Sequence, residues 1–161
     1  MTAATDTPTL LSRQELAAWA GFLRVHAAVT RELDAELSAA HSLPLSSYEV
    51  LLFLHSAPSG MMRMSELADS VLLSRSGLTR LVDRLEGAGL LERRQCSSDA
   101  RGFHAAITAA GRRAYREAHS THLAGVRERF LRHLSADELG RLAELWERIE
   151  PAALADHRLA S

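Results

Sequence analysis

The sequence predicts a mostly α-helical fold carrying one small β-hairpin, with long helices at both ends. Three observations carry that prediction. Apolar residues recur at three- and four-residue steps along most of the chain, the period shortens just after Gly89, and residues that start and stop helices stand at the boundaries between these stretches.

The first helix is expected from Arg13 to roughly His41, with Leu16, Trp19, Phe22, Leu23, His26, Val29, Leu33 and Leu37 on one stripe. Ser12 before it and Glu15 three residues on form a capping-box signature. Pro44 forces a break, after which Ser46 or Ser47 can cap a second helix that buries Tyr48, Val50, Leu51 and Leu54. Pro58, Ser59 and Gly60 end it. Two short helices follow, Ser65 to about Val71 and Arg75 to about Ala88, joined by Leu72, Leu73 and Ser74, a connection short enough for a helix-turn-helix pair. Leu67, Ala68 and Val71 face inward on the first, and Leu78, Leu81, Val82 and Leu85 on the second, which Gly87 and Gly89 stop.

Leu90–Arg94 and Phe103–Ile107 read as short strands around a hairpin loop, Gln95–Gly102, rich in Ser, Asp, Arg and Gly. Thr108 opens a long helix through about Leu134 with Tyr115, Ala118, His122, Val126 and Phe130 on one side. A second capping box at Ser135 and Glu138 starts a last helix through Leu139, Leu142, Leu145, Trp146 and Ile149, tested by Pro151. Three short helices plus a hairpin make a winged helix-turn-helix core. The expected organisation is one unit over 1–161: a winged-helix region at 44–107, with the second helix of its helix-turn-helix pair, the recognition helix, at about 75–88 and its wing at about 90–107, between long helices at 12–43 and 108–157.

Composition narrows the function. With 161 residues, 47% hydrophobic and 24% charged, the chain can bury a core without disulfides or a structural metal. No apolar run approaches the ~20 residues of a membrane-spanning helix, so no membrane partner is expected. Met1–Leu11 has neither the basic nor the apolar segment of a secretory signal, and a cytoplasmic location is expected. The lone Cys96 excludes an internal disulfide and a zinc knuckle. Net charge is −1, yet residues 1–58 hold three Arg against six acids, whereas 71–104 hold six Arg against four. The basic part is the middle, and local charge is what a nucleic acid meets.

Opposite the apolar face of the 75–88 helix lie Arg75, Ser76, Thr79, Arg80, Asp83 and Arg84. A helix fits the major groove of B-DNA, where Arg donates two hydrogen bonds to guanine and Ser or Thr meets base edges or phosphates. Ser74 adds free backbone N–H groups at the helix start, a phosphate anchor. On the wing, Arg94, Asp99 and Arg101 form a second group: Arg suits the narrow minor groove, and Asp99 can orient Arg101. Arg93 on the leading strand has a second reading, as half of a surface ion pair of little consequence.

Arg63-Met-Ser-Glu-Leu-Ala68, Leu72 through Glu86, Gly89-Leu-Leu-Glu-Arg-Arg94 and Asp99-Ala-Arg-Gly102 together resemble the MarR family of winged helix-turn-helix transcription regulators. The similarity extends through Leu45–Leu51 and Ile107–Gly111 and leaves out only about the first ten residues. It implies a sequence-specific regulator of double-stranded DNA, a ligand-responsive repressor that binds a palindromic operator as a homodimer. The terminal helices would interlock and set two recognition helices roughly 34–36 Å apart. The apolar surface of 13–41 and the stripe Leu142, Leu145 and Trp146 exceed what a small winged domain can cover, which fits such pairing. The resemblance further implies a small aromatic or phenolic acid as effector, with Trp19, His26 and Tyr48 as candidate ligand-binding residues; packing in the core or dimer is the other reading of each.

No cofactor is expected. The chain shows no Gly-rich phosphate loop, no H-E-x-x-H and no nucleophile elbow, so no enzyme is expected either. His119 and His122 share a helix face and would need a third ligand to hold a metal. The remaining alternative is a winged helix that binds another protein rather than DNA, against which the basic stripe counts.

Overall fold

The computed structural model describes residues 10–71, 75–96 and 99–151, and at 75, 96 and 99–101 it describes the backbone alone. The element order is α1 (Arg13–His41), α2 (Leu45–Ser56), β1 (Met61–Arg63), α3 (Met64–Ser70), α4 (Arg75–Gly87), β2 (Leu91–Cys96), β3 (Asp99–Ile107), α5 (Ala109–Arg129), a 3₁₀ turn (Leu131–His133) and α6 (Ala136–Ile149). It is the mostly helical, winged architecture expected, with a small antiparallel sheet in the order β1-β3-β2.

Helix α2 is the centre of the molecule. Leu45, Ser47, Tyr48 and every residue from Val50 to Leu54 are buried, so its apolar surface runs all round rather than along the stripe expected. The reason is its position: α1, α3, α4, α5 and the sheet all pack on it. Neither Ser46 nor Ser47 caps it; Pro44 occupies the cap position without a side-chain bond, and the Leu45 N–H donates instead to Asp34 Oδ1 of α1 at 2.8 Å. Helix α1 therefore holds the start of α2 directly.

Helix α1 reaches the core from its C-terminal half, through buried Leu33 and Leu37 and half-buried Val29. There α1 lies against α5 at Gly125, where a Cβ would sit 2.6 Å from both Leu33 and Glu36 side-chain atoms. Arg129 of α5 closes the contact by pairing with Glu36 at 2.6 Å. Both terminal capping boxes form as expected: Ser12 with Glu15, and Ser135 with Glu138.

Three boundaries depart from expectation. Helix α3 starts at Met64 rather than Ser65, with Glu66 accepting from the Arg63 N–H at 3.2 Å. The long helix after Thr108 ends at Arg129, because Phe130 adopts φ −131°, ψ −62°, and the rest is a 3₁₀ turn. Most of Gln95–Gly102 is strand rather than loop: β2 runs to Cys96 and β3 begins at Asp99, with a register shift between Gln95 and Cys96. The 97–98 connection, Leu72–Ser74 and 152–157 of the expected last helical segment lie outside the described residues.

Candidate nucleic-acid interface

Helix α4 divides cleanly by its 3.6-residue period. Leu78, Leu81, Val82 and Leu85 are buried, while Ser76, Thr79, Arg80, Asp83 and Arg84 are exposed. Burying four large apolar side chains at roughly 1.5–3 kcal/mol each fixes which face turns outward. Helix α4 ends in a Schellman motif with Gly89 at φ +71°: Leu90 N–H donates to Leu85 O and Gly89 N–H to Glu86 O, both at 2.9 Å. Gly89 is thus the stop, and Gly87 lies in the last turn.

That C-terminus locks the wing in place. Thr108 Oγ1 donates to Gly89 O at 2.7 Å while accepting from Gly111 N–H at 3.0 Å, so one side chain ties α4 to the start of α5. Gly111 lies so close that a Cβ there would stand 2.0 Å from Leu90 O. Strand β1, unforeseen in the sequence, adds a third strand through Met61↔Ala106, Met62↔Ala105 and Arg63↔His104.

Arg93, at the base of the wing, reaches back to α4. Its guanidinium bonds Asp83 Oδ1 at 2.6 Å and also grips Glu86, while its backbone N–H donates to Glu86 Oε1 at 2.9 Å. Burial pulls this guanidinium's pKa down, but the hydrogen bonds and charges of Asp83 and Glu86 outweigh burial and raise it overall. The ion pair foreseen as one reading of Arg93 is therefore present, and it offsets part of the acidic charge on α4. Among the described residues Arg80 and Arg84 form no ion pair, so the outward face of α4 keeps net positive charge. Arg94 is exposed on β2 and turns toward Glu92 at 2.5 Å.

Of the DNA-contact candidates, Ser76, Thr79, Arg80 and Arg84 share the outward face of α4, and Arg94 stands on the wing. Ser74 and the side chains of Arg75, Asp99 and Arg101 lie outside the described residues. The ligand candidates are not brought together. Trp19 is exposed near the start of α1, with Phe22 its ring neighbour at 6.0 Å. His26 lines an open groove with Thr30, Arg31, Asp34 and Glu49. Tyr48 is fully buried, its hydroxyl 2.8 Å from His119 Nδ1 and its ring 4.4 Å from His122.

Tyr48 nevertheless borders a cavity of about 280 Å³ between α2, α3 and α5, lined also by Glu49, Leu52, Phe53, Ser70, Val71, His119, His122 and Leu123. Glu49 was not foreseen as part of a site; a glutamate on an apolar helix gives no sign of what will cover it. Burial raises its carboxyl pKa, and burial then the charge of His119 lowers that of His122. Tyr48 is pushed far above the ordinary phenol range by burial, then by Tyr115 and Glu49. His119 and His122 do not form a metal centre: among the described residues no three His, Cys, Asp or Glu are grouped to hold an ion. Nor, among them, is any helix long and apolar enough to cross a membrane.

An exposed polar ridge on the second helix of a helix-turn-helix, braced by a three-stranded wing, defines a winged-helix protein of the DNA-binding class. A model of the MarR family matches residues 41–102. AbsC, a MarR family transcriptional regulator from Streptomyces coelicolor, is 33% identical with a TM-score of 0.82, over 88% of this chain and 95% of its own. Sco3205 from the same organism, also a MarR family transcriptional regulator and solved in complex with DNA, is 30% identical with a TM-score of 0.84, over 92% of both chains. A third, Sco5413, is 25% identical with a TM-score of 0.75, over 88% of this chain and 96% of its own. No curated protein sequence is significantly similar to it. The chain belongs to the MarR family of transcriptional regulators.

Proposed function

We propose that this regulator is a ligand-responsive repressor that binds a palindromic operator as a homodimer, reading each half-site with α4 in the major groove and steadying it with the wing. The observation that carries the reading is the outward face of α4, where Ser76, Thr79, Arg80 and Arg84 stand clear of the core. Sco3205, of the same fold and family, was solved with DNA bound. In this assignment Ser74, Arg75, Ser76, Thr79, Arg80 and Arg84 supply groove and phosphate contacts, and Arg94, Asp99 and Arg101 act from the wing.

Pairing is supported by what the single chain leaves in water. Leu16, Trp19, Phe22, Leu23 and Val25 are exposed along α1, as are Leu145 and Ile149 on α6, which has no buried residue at all. Phe22 and Trp146 meet at 5.4 Å, joining the two surfaces into one apolar patch suited to a second copy of the chain. Segments 12–43 and 108–157 are thus assigned to the dimer and 44–107 to DNA. Responsiveness to a small molecule rests on the cavity beside Tyr48, which abuts the end of α3 just ahead of the recognition helix.

Selection of bound duplexes from a random pool tests the reading. The selected sequences should be palindromic, and affinity should fall steeply with salt. Arg80→Ala, counted twice in a dimer, should lower the log-log salt slope by about 2 if both copies meet phosphate. Failure to select any duplex at low salt would overturn the proposal and favour a protein-binding module.

A further inference from the structure

The cavity between α2, α3 and α5 has an unusual charge balance for an effector site. Its lining is mainly apolar, through Leu52, Phe53, Val71 and Leu123, and its volume of about 280 Å³ suits one aromatic ring with a small substituent. Among the described lining residues there is no Arg, and Glu49 is the sole group that ordinarily carries full charge at neutral pH. Glu49 forms no ion pair within the described residues. The Tyr48 hydroxyl is engaged with His119 Nδ1, and the Ser70 hydroxyl donates to Glu66 O at 2.9 Å.

The groove next door shares Glu49 and Val71 with the cavity. It holds one cation, Arg31, whose side chain is 71% exposed and lies beside Glu32 at 3.5 Å. Asp34 stands in the same groove. Neither the cavity nor the groove thus places a cation on Glu49 as an ion-pair partner.

We infer that the cavity selects a planar aromatic cation, an aryl amidine or aryl guanidine whose N–H groups bond Glu49, and discriminates against aromatic carboxylates. The inference rests on the proposed ligand-responsive function and names the chemistry of its ligand. A carboxylate placed here would face Glu49 across a few ångströms of poorly screened space, whereas a cation supplies the partner that Glu49 lacks. The raised Glu49 carboxyl agrees: its ion is penalised while the cavity is empty, and a bound cation offsets that penalty. The occupant also touches Ser70, the last residue of α3, and Val71, which caps it, so its binding and the placement of α4 on DNA are coupled reciprocally.

Three near-isosteric probes separate the charge states: benzamidine, benzamide and benzoate, titrated calorimetrically into the full-length protein near neutral pH. Benzamidine should bind at least about tenfold more tightly than benzamide, with benzoate weakest, and should weaken binding to the selected duplex. Glu49→Gln should reduce benzamidine affinity about tenfold and change benzamide less than about threefold. The ranking in the unmodified protein stands independently of how well that variant folds. Equal binding of all three, tighter binding of benzoate, or benzamidine binding untouched by Glu49→Gln overturns the charge assignment while leaving a ligand site in place. Binding of none of the three, with duplex affinity unchanged, overturns the ligand-responsive reading as well.

Discussion

Arg93 offers the sharpest perturbation, because one side chain joins the wing to the recognition helix and is the shared counter-ion of two acids on it. Replacing Arg93 with Ala removes the bridges to Asp83 and Glu86 and leaves both carboxylates beside the surface assigned to DNA. Hydrogen bonds to charged groups contribute about 1.5–3 kcal/mol when shielded. Here the Arg93 side chain is 23% exposed but Asp83 is 58% and Glu86 38% exposed, so solvent screening reduces the two bridges together to about 1–2 kcal/mol. For a domain of this size that corresponds to a fall in Tm of roughly 3–6 °C. Duplex affinity should suffer more than stability, since each copy in the proposed dimer loses one positive charge and leaves Asp83 and Glu86 without their shared counter-ion near phosphate; a drop of about tenfold or more is expected at moderate salt. The assay is thermal melting alongside fluorescence anisotropy with a selected duplex, on Arg93→Ala, Asp83→Asn and the double variant. Asp83→Asn should recover part of the lost affinity in the Arg93→Ala background. Unchanged affinity in Arg93→Ala, or a double variant whose effects simply add, would refute the counter-ion role.

In the proposed homodimer, Trp146→Ala removes the α6 side of the Phe22 contact, and a loss of about 2 kcal/mol should raise the dissociation constant roughly thirtyfold by sedimentation equilibrium. Gly111→Ala drives a Cβ into Leu90 O, costing about 2–3 kcal/mol and roughly 5–10 °C in melting temperature. Burial lowers the pKa of both His55 and His122, with Arg112, Arg116 and His119 adding to the effect on His55 and His119 to that on His122. The unfolded chain therefore takes up protons before the folded one does. Stability present above about pH 6.5 should decline as pH falls below it, and His122→Gln should flatten that decline in a series of melts. Glu49 acts in the opposite sense: its raised carboxyl costs stability as pH rises through its folded pKa, so Glu49→Gln should raise the melting temperature at neutral pH.

What the sequence disclosed was what local chemistry decides. Ser12 with Glu15 and Ser135 with Glu138 are complete signals within four residues, and both caps form where expected. The outward face of α4 was legible because four Leu and Val residues at helical spacing leave one orientation free. What escaped depends on distant partners. Met61–Arg63 is too short to show any period and becomes a strand by pairing with β3. Asp34 caps a helix eleven residues away, which no cap signature anticipates. Phe130 interrupts the helix after Thr108 without Pro or Gly to announce it. The candidate ligand residues were chosen for side-chain type, and type does not reveal that Tyr48 faces a cavity with Glu49 while Trp19 stands far out on α1.

Methylation interference on a selected duplex bears most directly on the placement of α4, because it marks guanine N7 in the major groove and adenine N3 in the minor groove in one experiment. Two clusters of interfering guanines, related by two-fold symmetry and centred about one helical turn apart, are predicted, with both clusters lost or weakened in Arg80→Ala. Interference confined to adenines, or a single unpaired cluster that Arg80→Ala leaves intact, would contradict the account.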